Sequence, residues 1–384
     1  MTDRAEKGLL PAGLEDVLPP LAAHESAVVE RLIACFQGQG YDRVKPPLLE
    51  FEEALLAGAG AAVAGQTFRL MDPVSQRMMG LRADMTPQVA RIATTRLKKA
   101  PRPLRLCYGG QVLQVRGSQL RPERQFAQAG VELIGATDET GDAEVVVLAI
   151  EALSAIGVEE LSVDLNLPPL VGALAADLGL ASDQVAELRL ALDRKDAAAV
   201  RDLAGAHAAL FQDLLRAAGP VDKALAALAG LKLPDAAARE VKHLADVVAL
   251  IRRAAPQARL TIDPVEHRGF EYQTGISFIL FARGVRGELG RGGRYEASGP
   301  NGERESSTGF TLFMDTVLRA LPAPAPARRI FLPLGTPAEE GRRLRAEGWV
   351  TLAGLAAAVD LAAEARRLGC GHLLLDGEIS ETKD

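Results

Sequence analysis

The chain has 384 residues, 48% hydrophobic and 24% charged, with a formal net charge of −6 at pH 7. That balance describes a globular protein with room for two or three domains and a large core. It argues against a broad nucleic-acid surface, and no apolar run is long enough to span a bilayer. The opening MTDRAEKGLLP carries two acids and no apolar stretch, so no signal peptide is expected. Cys35, Cys107 and Cys370 are scattered and odd in number, and the five histidines are isolated. This fits a reducing cytoplasm and offers no metal spacing, so neither a metal nor a cofactor is expected.

Leu10 to Pro20 reads as a loop. The spacing of Val28, Leu32 and Phe36 predicts a helix from about Ala22 to Gly38. Val44 to Phe51 is extended, with Pro46 and Pro47 implying an edge or a distortion. Thr67 to Leu81 predicts a hairpin turning at Pro73 to Gln76. Thr86 then looks like the N-cap of a helix with Pro87 at its first position. Leu104 to Gly135 predicts strand, loop and strand, and Asp142 to Ile156 a helix with Val145, Leu148, Ala152 and Ile156 on one face. LSVDLNLP, around Leu161 to Pro168, reads as a strand. Val171 to Pro256 is helix-forming, broken at Gly219-Pro220 and Pro234, with no aromatic platform or basic stripe for a tRNA.

The chain is organised around EHRGFEYQTGISFILFARGVRGELGRGGRYE, Glu266 to Glu296. Gly275 to Leu280 alternates as a half-buried strand. Gly284 and Gly287 mark a turn, and a second short strand is expected to end in Gly290, Gly292 and Gly293. Arginine forks and glycines suit a small anion or zwitterion. GRGGRY lacks the Gly-Lys-Ser/Thr ending of a phosphate loop. Ser306 to Leu321 reads as a strand running into a helix. After the PAPAPA linker come a strand (Ile330 to Leu334), a helix (Pro337 to Glu347), a strand (Trp349 to Ala353), a helix (Leu355 to Leu368) and a strand (His372 to Leu375).

RGFEYQTG and GGRYE, in that order and about twenty residues apart, resemble the two histidine-specific motifs of histidyl-tRNA synthetase, RGLDYYTG and GGRYD. The resemblance runs in motif order over residues 1 to about 321. It implies an α+β fold: a class II aminoacyl-tRNA synthetase-like antiparallel sheet flanked by helices. Its parts would be 1–170 and 257–321, with a helical insertion at 171–256 and a small α/β C-terminal unit at 328–384. Pro47 matches the class II motif 1 proline, in a segment that builds the dimer interface of that superfamily. Asp84 and Thr86 match the Glu and Thr of RPEGT that hold the histidine amino group, Asp being one methylene shorter. Gln128 and Glu132, in QFAQAGVE, fall on positions that hold the amino acid, where Glu132 can pair with an ammonium or an imidazole N–H. Arg268 is expected to meet a carboxylate, with Tyr272 lining the remainder. Gln273 stands where the second tyrosine of RGLDYYTG helps seat the imidazole, and glutamine can still hydrogen-bond a ring nitrogen.

Two arginines of the synthetase pattern are absent by this alignment: Gln114 stands at the motif 2 position and Thr316 at the motif 3 position, after Asp315. An amino-acid pocket without both ATP-gripping arginines, together with a cut-down C-terminal domain, resembles the regulatory subunits of ATP phosphoribosyltransferase. That resemblance implies a chain with no catalysis or catalytic residues of its own. It would join a short-form catalytic subunit in the first step of histidine biosynthesis and confer feedback inhibition by histidine. It also implies a homodimer that binds histidine but neither tRNA nor membrane. The alternatives are a divergent histidyl-tRNA synthetase using Arg116, Arg121 or Arg124 on ATP, and a free-standing amino-acid sensor.

Overall fold

The structure, a computed structural model, describes residues 9–119, 121–267, 273–298, 302 and 304–382. The chain divides into two compact units, Met1–Pro322 and Ala323–Asp384. Arg268 and Tyr272 lie outside the described residues.

In the first unit, α1 (Leu21–Gly38) buries Val28, Leu32, Ile33 and Phe36. β1 (Asp42–Arg43), β2 (Leu49–Phe51) and α2 (Glu52–Leu55) follow, then the hairpin β3 (Arg69–Met71) and β4 (Met78–Leu81), and α3 (Thr86–Thr94). Two long antiparallel strands come next, β5 (Leu104–Leu113) and β6 (Gln125–Ile134), then α4 (Glu139–Ile156) and β7 (Leu161–Asn166). The helical segment holds α5 (Pro169–Asp177), α6 (Ser182–Asp193), α7 (Ala197–Ala204), α8 (Ala208–Arg216), the short β8 (Gly219–Pro220), α9 (Val221–Ala229) and α10 (Asp235–Ala254). The unit closes with β9 (Arg259–Asp263), β10 (Gln273–Ala282), β11 (Gly290–Ser298), β12 (Arg304–Phe313) and α11 (Met314–Arg319).

Among the described residues the main sheet orders its strands β1-β5-β6-β12-β11-β10-β7-β9-β8. Side chains alternate between its faces. On β6, Ala127, Ala129, Val131 and Leu133 join α1, α4 and the helical segment in one large core. Phe126 and Ile134 face the other way, into a smaller core with Met85, Val89 and Ala93 at α3. The helical segment therefore shares the main core of its unit.

The second unit carries β13 (Arg329–Leu332), α12 (Ala338–Ala346), β14 (Val350–Ala353), α13 (Leu361–Arg367), β15 (His372–Leu375) and β16 (Glu378–Glu381), in sheet order β14-β13-β15-β16.

Three local expectations are corrected. The glycines Gly290, Gly292 and Gly293 begin β11 instead of ending a strand, because the turn closes earlier: Leu289 N–H donates to Leu280 O at 2.7 Å. Thr86 is the first residue of α3, not its side-chain cap: its hydroxyl lies 3.2 Å from Tyr108 Oη, and Asp84 Oδ1 accepts the Thr86 N–H at 3.3 Å. In the tail, α13 starts at Leu361, not Leu355. Asp360 Oδ1 caps the Ala363 N–H at 2.9 Å, and a carboxylate cap fixes a helix start that the alanines before it do not. A further strand, β16, pairs antiparallel with β15 and is not among the elements expected from sequence.

Candidate functional site

The central strands are in register so that Glu132 on β6 pairs with Gly309 on β12, Gly309 with Gly293 on β11, and Gly293 with Ser277 on β10. Two side-chain-free positions thus sit beside a carboxyl group. A β-carbon on Gly309 would lie 2.1 Å from Glu132 Oε2, and one on Gly293 (φ +150°) 2.3 Å from Gln273 Oε1. Both would clash, so the glycines hold open a cleft that their neighbours' polar groups enter. One strand pair over, Gly130 faces Tyr108 on β5, and a β-carbon there would lie 2.5 Å from Tyr108 Oη.

The cleft is lined by Asp84, Thr86, Glu132, Gln273, Arg291, Tyr295 and Thr311, among others, and has a cavity volume of about 50 Å³. That is narrow beside the roughly 300–1,000 Å³ of drug-sized sites and closer to one small group. Glu132 is only 1% exposed. It accepts hydrogen bonds from Tyr295 Oη at 2.9 Å and Tyr108 Oη at 3.3 Å. Burial, reinforced by the Asp84 charge, pushes its pKa up to about 8 against the opposing tyrosine and Thr86 hydrogen bonds. Asp84 is also raised, chiefly by burial, and the Tyr108 phenol is held well above its ordinary value by burial and by both carboxyls.

Of the residues expected from sequence, the structure brings Asp84, Thr86, Glu132 and Gln273 to this one cleft. Gln128 sits just behind it, 2% exposed, its Oε1 accepting the Met85 N–H at 3.1 Å and so fixing the start of α3. The expectations for Arg268 and Tyr272 fall outside the described residues. Sequence reasoning missed Tyr108, Thr311 and, within the quoted GGRYE, Tyr295. Tyr108 and Thr311 are 203 residues apart and their hydroxyls meet at 2.7 Å, a contact with no local signal.

Beside the cleft, Gln114 donates its N–H to Arg124 O at 2.7 Å. Asp315 accepts from Arg121 Nε at 3.0 Å and from Thr316 Oγ1 at 3.2 Å. The Arg121 guanidinium also covers the Phe313 ring at 3.9 Å. Arg124 donates to Gln114 O and Ala12 O.

Fold and cleft together define a class II synthetase-like protein of the histidyl type. The histidyl-tRNA synthetase family profile matches residues 13–317. A histidyl-tRNA synthetase crystal structure from a Nostoc species superposes at TM-score 0.80 and 19% identity, over 96% of this chain and 91% of the other, which shows the fold. Within that class the chain belongs to the ATP phosphoribosyltransferase regulatory subunit family. It is 58% identical to the regulatory subunit of Rhodospirillum centenum, over 98% of this chain and 97% of that one. It is 55% identical to that of Rhodospirillum rubrum, over 97% and 96%. A Bacillus halodurans crystal structure described as an ATP phosphoribosyltransferase regulatory subunit/histidyl-tRNA synthetase gives TM-score 0.81 at 25% identity, covering 94% of this chain and 96% of the other. No helix among the described residues is long and apolar enough to cross a membrane.

Proposed function

We propose that this chain is a non-catalytic regulatory subunit. It partners the short-form catalytic subunit of ATP phosphoribosyltransferase in the first step of histidine biosynthesis, and it carries feedback inhibition by histidine. The observation that carries the reading is the pair Arg121–Asp315. Adenylate chemistry needs fixed positive charge aimed at the phosphates, and losing one such contact typically costs on the order of 10²-fold in rate. Here Gln114 and Thr316 stand at the two arginine positions, and the neighbouring Arg121 is engaged by Asp315 at 3.0 Å and by Phe313. The family membership supports the same assignment.

In this reading the cleft binds histidine: Asp84 and Thr86 hold the ammonium, Arg268 the carboxylate, and Gln128, Glu132, Tyr272 and Gln273 the remainder. A free amino acid needs a cationic and an anionic anchor at opposite ends, each a charge-assisted hydrogen bond. Feedback then requires that histidine bind one state of the assembly better than another. The test is co-purification with the short catalytic subunit and an activity assay with and without histidine. Activity of the catalytic subunit that is unchanged by this chain, or histidine-dependent pyrophosphate exchange into ATP by this chain alone, would sink the proposal.

A further inference from the structure

The corner between α6 and α7 of the helical segment is a Schellman turn. Lys195 N–H donates to Leu192 O at 3.0 Å, and Asp196 N–H donates to Ala191 O at 3.0 Å. The residue in its left-handed position is Lys195, with φ +56°. Glycine is the usual occupant there, because a β-carbon disfavours that conformation. Asp196 then caps α7 by accepting the Ala198 and Ala199 N–H groups. The helices on either side are seated in the main core through Leu188, Ala191, Leu192, Val200 and Ala204. The corner is therefore a firm bracket, built around a lysine where the backbone favours glycine.

Two side chains of that bracket reach one short segment after β9. Lys195 Nζ lies 2.5 Å from Asp263 Oδ2 and 4.0 Å from Glu266 Oε2. Asp193 Oδ1 accepts the His267 N–H at 2.8 Å. Between these contacts Val265 is buried, and its N–H donates to Asp263 Oδ1 at 3.3 Å. The Asp193 bond is to backbone, so it fixes the path of the chain whatever side chain stands at 267. His267 is followed in sequence by Arg268, the first residue of RGFEYQTG. Gln273 of the same motif is fixed in β10, opposite Tyr295. The helical segment thus holds the chain where the motif begins, and the sheet holds it at Gln273.

We infer that Asp193 and Lys195 are positioning residues for the cleft. They clamp Asp263 to His267 and thereby set where Arg268 meets the carboxylate of the ligand. This deepens, and rests on, the reading of the cleft as an amino-acid site with Arg268 as its carboxylate anchor. It also accounts for Lys195: a strained backbone is kept because the side chain holds Asp263. By linkage, a ligand whose binding depends on the clamp tightens the clamp in return. The helical segment then takes part in sensing whether the cleft is filled.

The test is calorimetric titration of the full chain with L-histidine on the wild type, Lys195→Gly, Asp193→Ala, Asp193→Asn and Arg252→Ala, with thermal melting of each. Lys195→Gly separates positioning from stability. It removes the ammonium but relieves the left-handed backbone, so it should melt at or above the wild-type temperature while binding histidine about tenfold more weakly. Asp193→Ala should also lose about tenfold. Asp193→Asn, whose amide oxygen still accepts the N–H, should stay within about threefold. Arg252→Ala breaks the Arg252–Asp222 pair, 2.7 Å, elsewhere in the helical segment, and should bind as the wild type does. Lys195→Gly with wild-type affinity overturns the inference, as does Asp193→Asn no better than Asp193→Ala. An equal loss in Arg252→Ala overturns it too, since any loosening of the helices would then have the effect. So does an affinity loss that comes only with a matching fall in melting temperature in both Lys195→Gly and Asp193→Ala. In all these cases the amino-acid reading of the cleft survives. Wild-type protein that binds no histidine removes both.

Discussion

Arg294 and Asp142 meet in a buried ion pair at 3.0 Å, 8% and 3% exposed, which ties β11 to α4. Arg294 also donates to Ala136 O, Asp138 O and Ser306 Oγ, and His243 on α10 reaches the same Asp142 at 3.0 Å. One carboxylate thus joins the strand next to the cleft, the long core helix and the last helix of the helical segment. Removing one member of a buried pair leaves the other charge uncompensated and typically costs about 3–5 kcal/mol. Asp142→Ala is expected to lose that much, read by urea denaturation. A loss below about 1 kcal/mol would place the pair among weak surface contacts.

Glu132 predicts a pH dependence of opposite sign to an ordinary salt-bridged carboxylate. Its folded pKa, about 8, lies above the ordinary 4.5. Between those values the native state holds a proton that the unfolded state has lost. Stability therefore falls as pH rises through that window, by up to about 1.4 kcal/mol per unit for this group. Below pH 4.5 both states are protonated and the penalty vanishes. Glu132→Gln should be more stable than wild type at pH 8, with the difference shrinking steadily toward pH 5. Equal stability of the two proteins at both pH values would show that Glu132 ionises normally.

Gly309→Ala tests the row of glycines under the cleft. The added β-carbon would lie 2.4 Å from Val131 O as well as 2.1 Å from Glu132 Oε2, so backbone and carboxyl must both shift. Forcing a methyl into a packed site typically costs about 1–3 kcal/mol. The variant should melt earlier and lose histidine binding altogether. Full binding at wild-type stability would mean that the carboxyl is not seated where the cleft is drawn.

Much of this site is legible in the sequence, because its residues cluster in short motifs on adjacent strands. Asp84 and Thr86 fall two residues apart, Gln128 and Glu132 on one face of β6, and Gln273 at the start of β10. The helices and the β5–β6 hairpin follow from periodicity in the same way. What the sequence leaves unread is lateral. Tyr108 reaches Glu132 only because Gly130 lacks a side chain, and Asp142 finds Arg294 across 152 residues. Neither depends on spacing along the chain, so no window of residues shows it. The misplaced start of α13 has a local cause, since the alanine run before Asp360 looks helical while the Asp360 cap sets the boundary.

The last prediction concerns self-association. We propose, from what the resemblance implies, that the chain dimerises around Pro47 and the preceding helix. In the single chain, Leu18, Leu21 and Leu48 are 65%, 55% and 54% exposed in and around that segment. Scattered exposed leucines are ordinary, so exposure by itself decides nothing. A two-fold interface, however, uses each residue twice. Burying one leucine is worth about 1.5–3 kcal/mol, so a single substitution should remove about 3–6 kcal/mol of dimer stability. Leu48→Asp and Leu21→Asp are therefore expected to raise the dimer dissociation constant by at least about 100-fold, read by sedimentation equilibrium at micromolar concentration. Both variants should keep the wild-type circular dichroism, because neither side chain belongs to a buried core. A wild-type chain that sediments as a monomer, alone and with the short catalytic subunit, rules out the interface. A dimer unmoved by either aspartate puts it on another face.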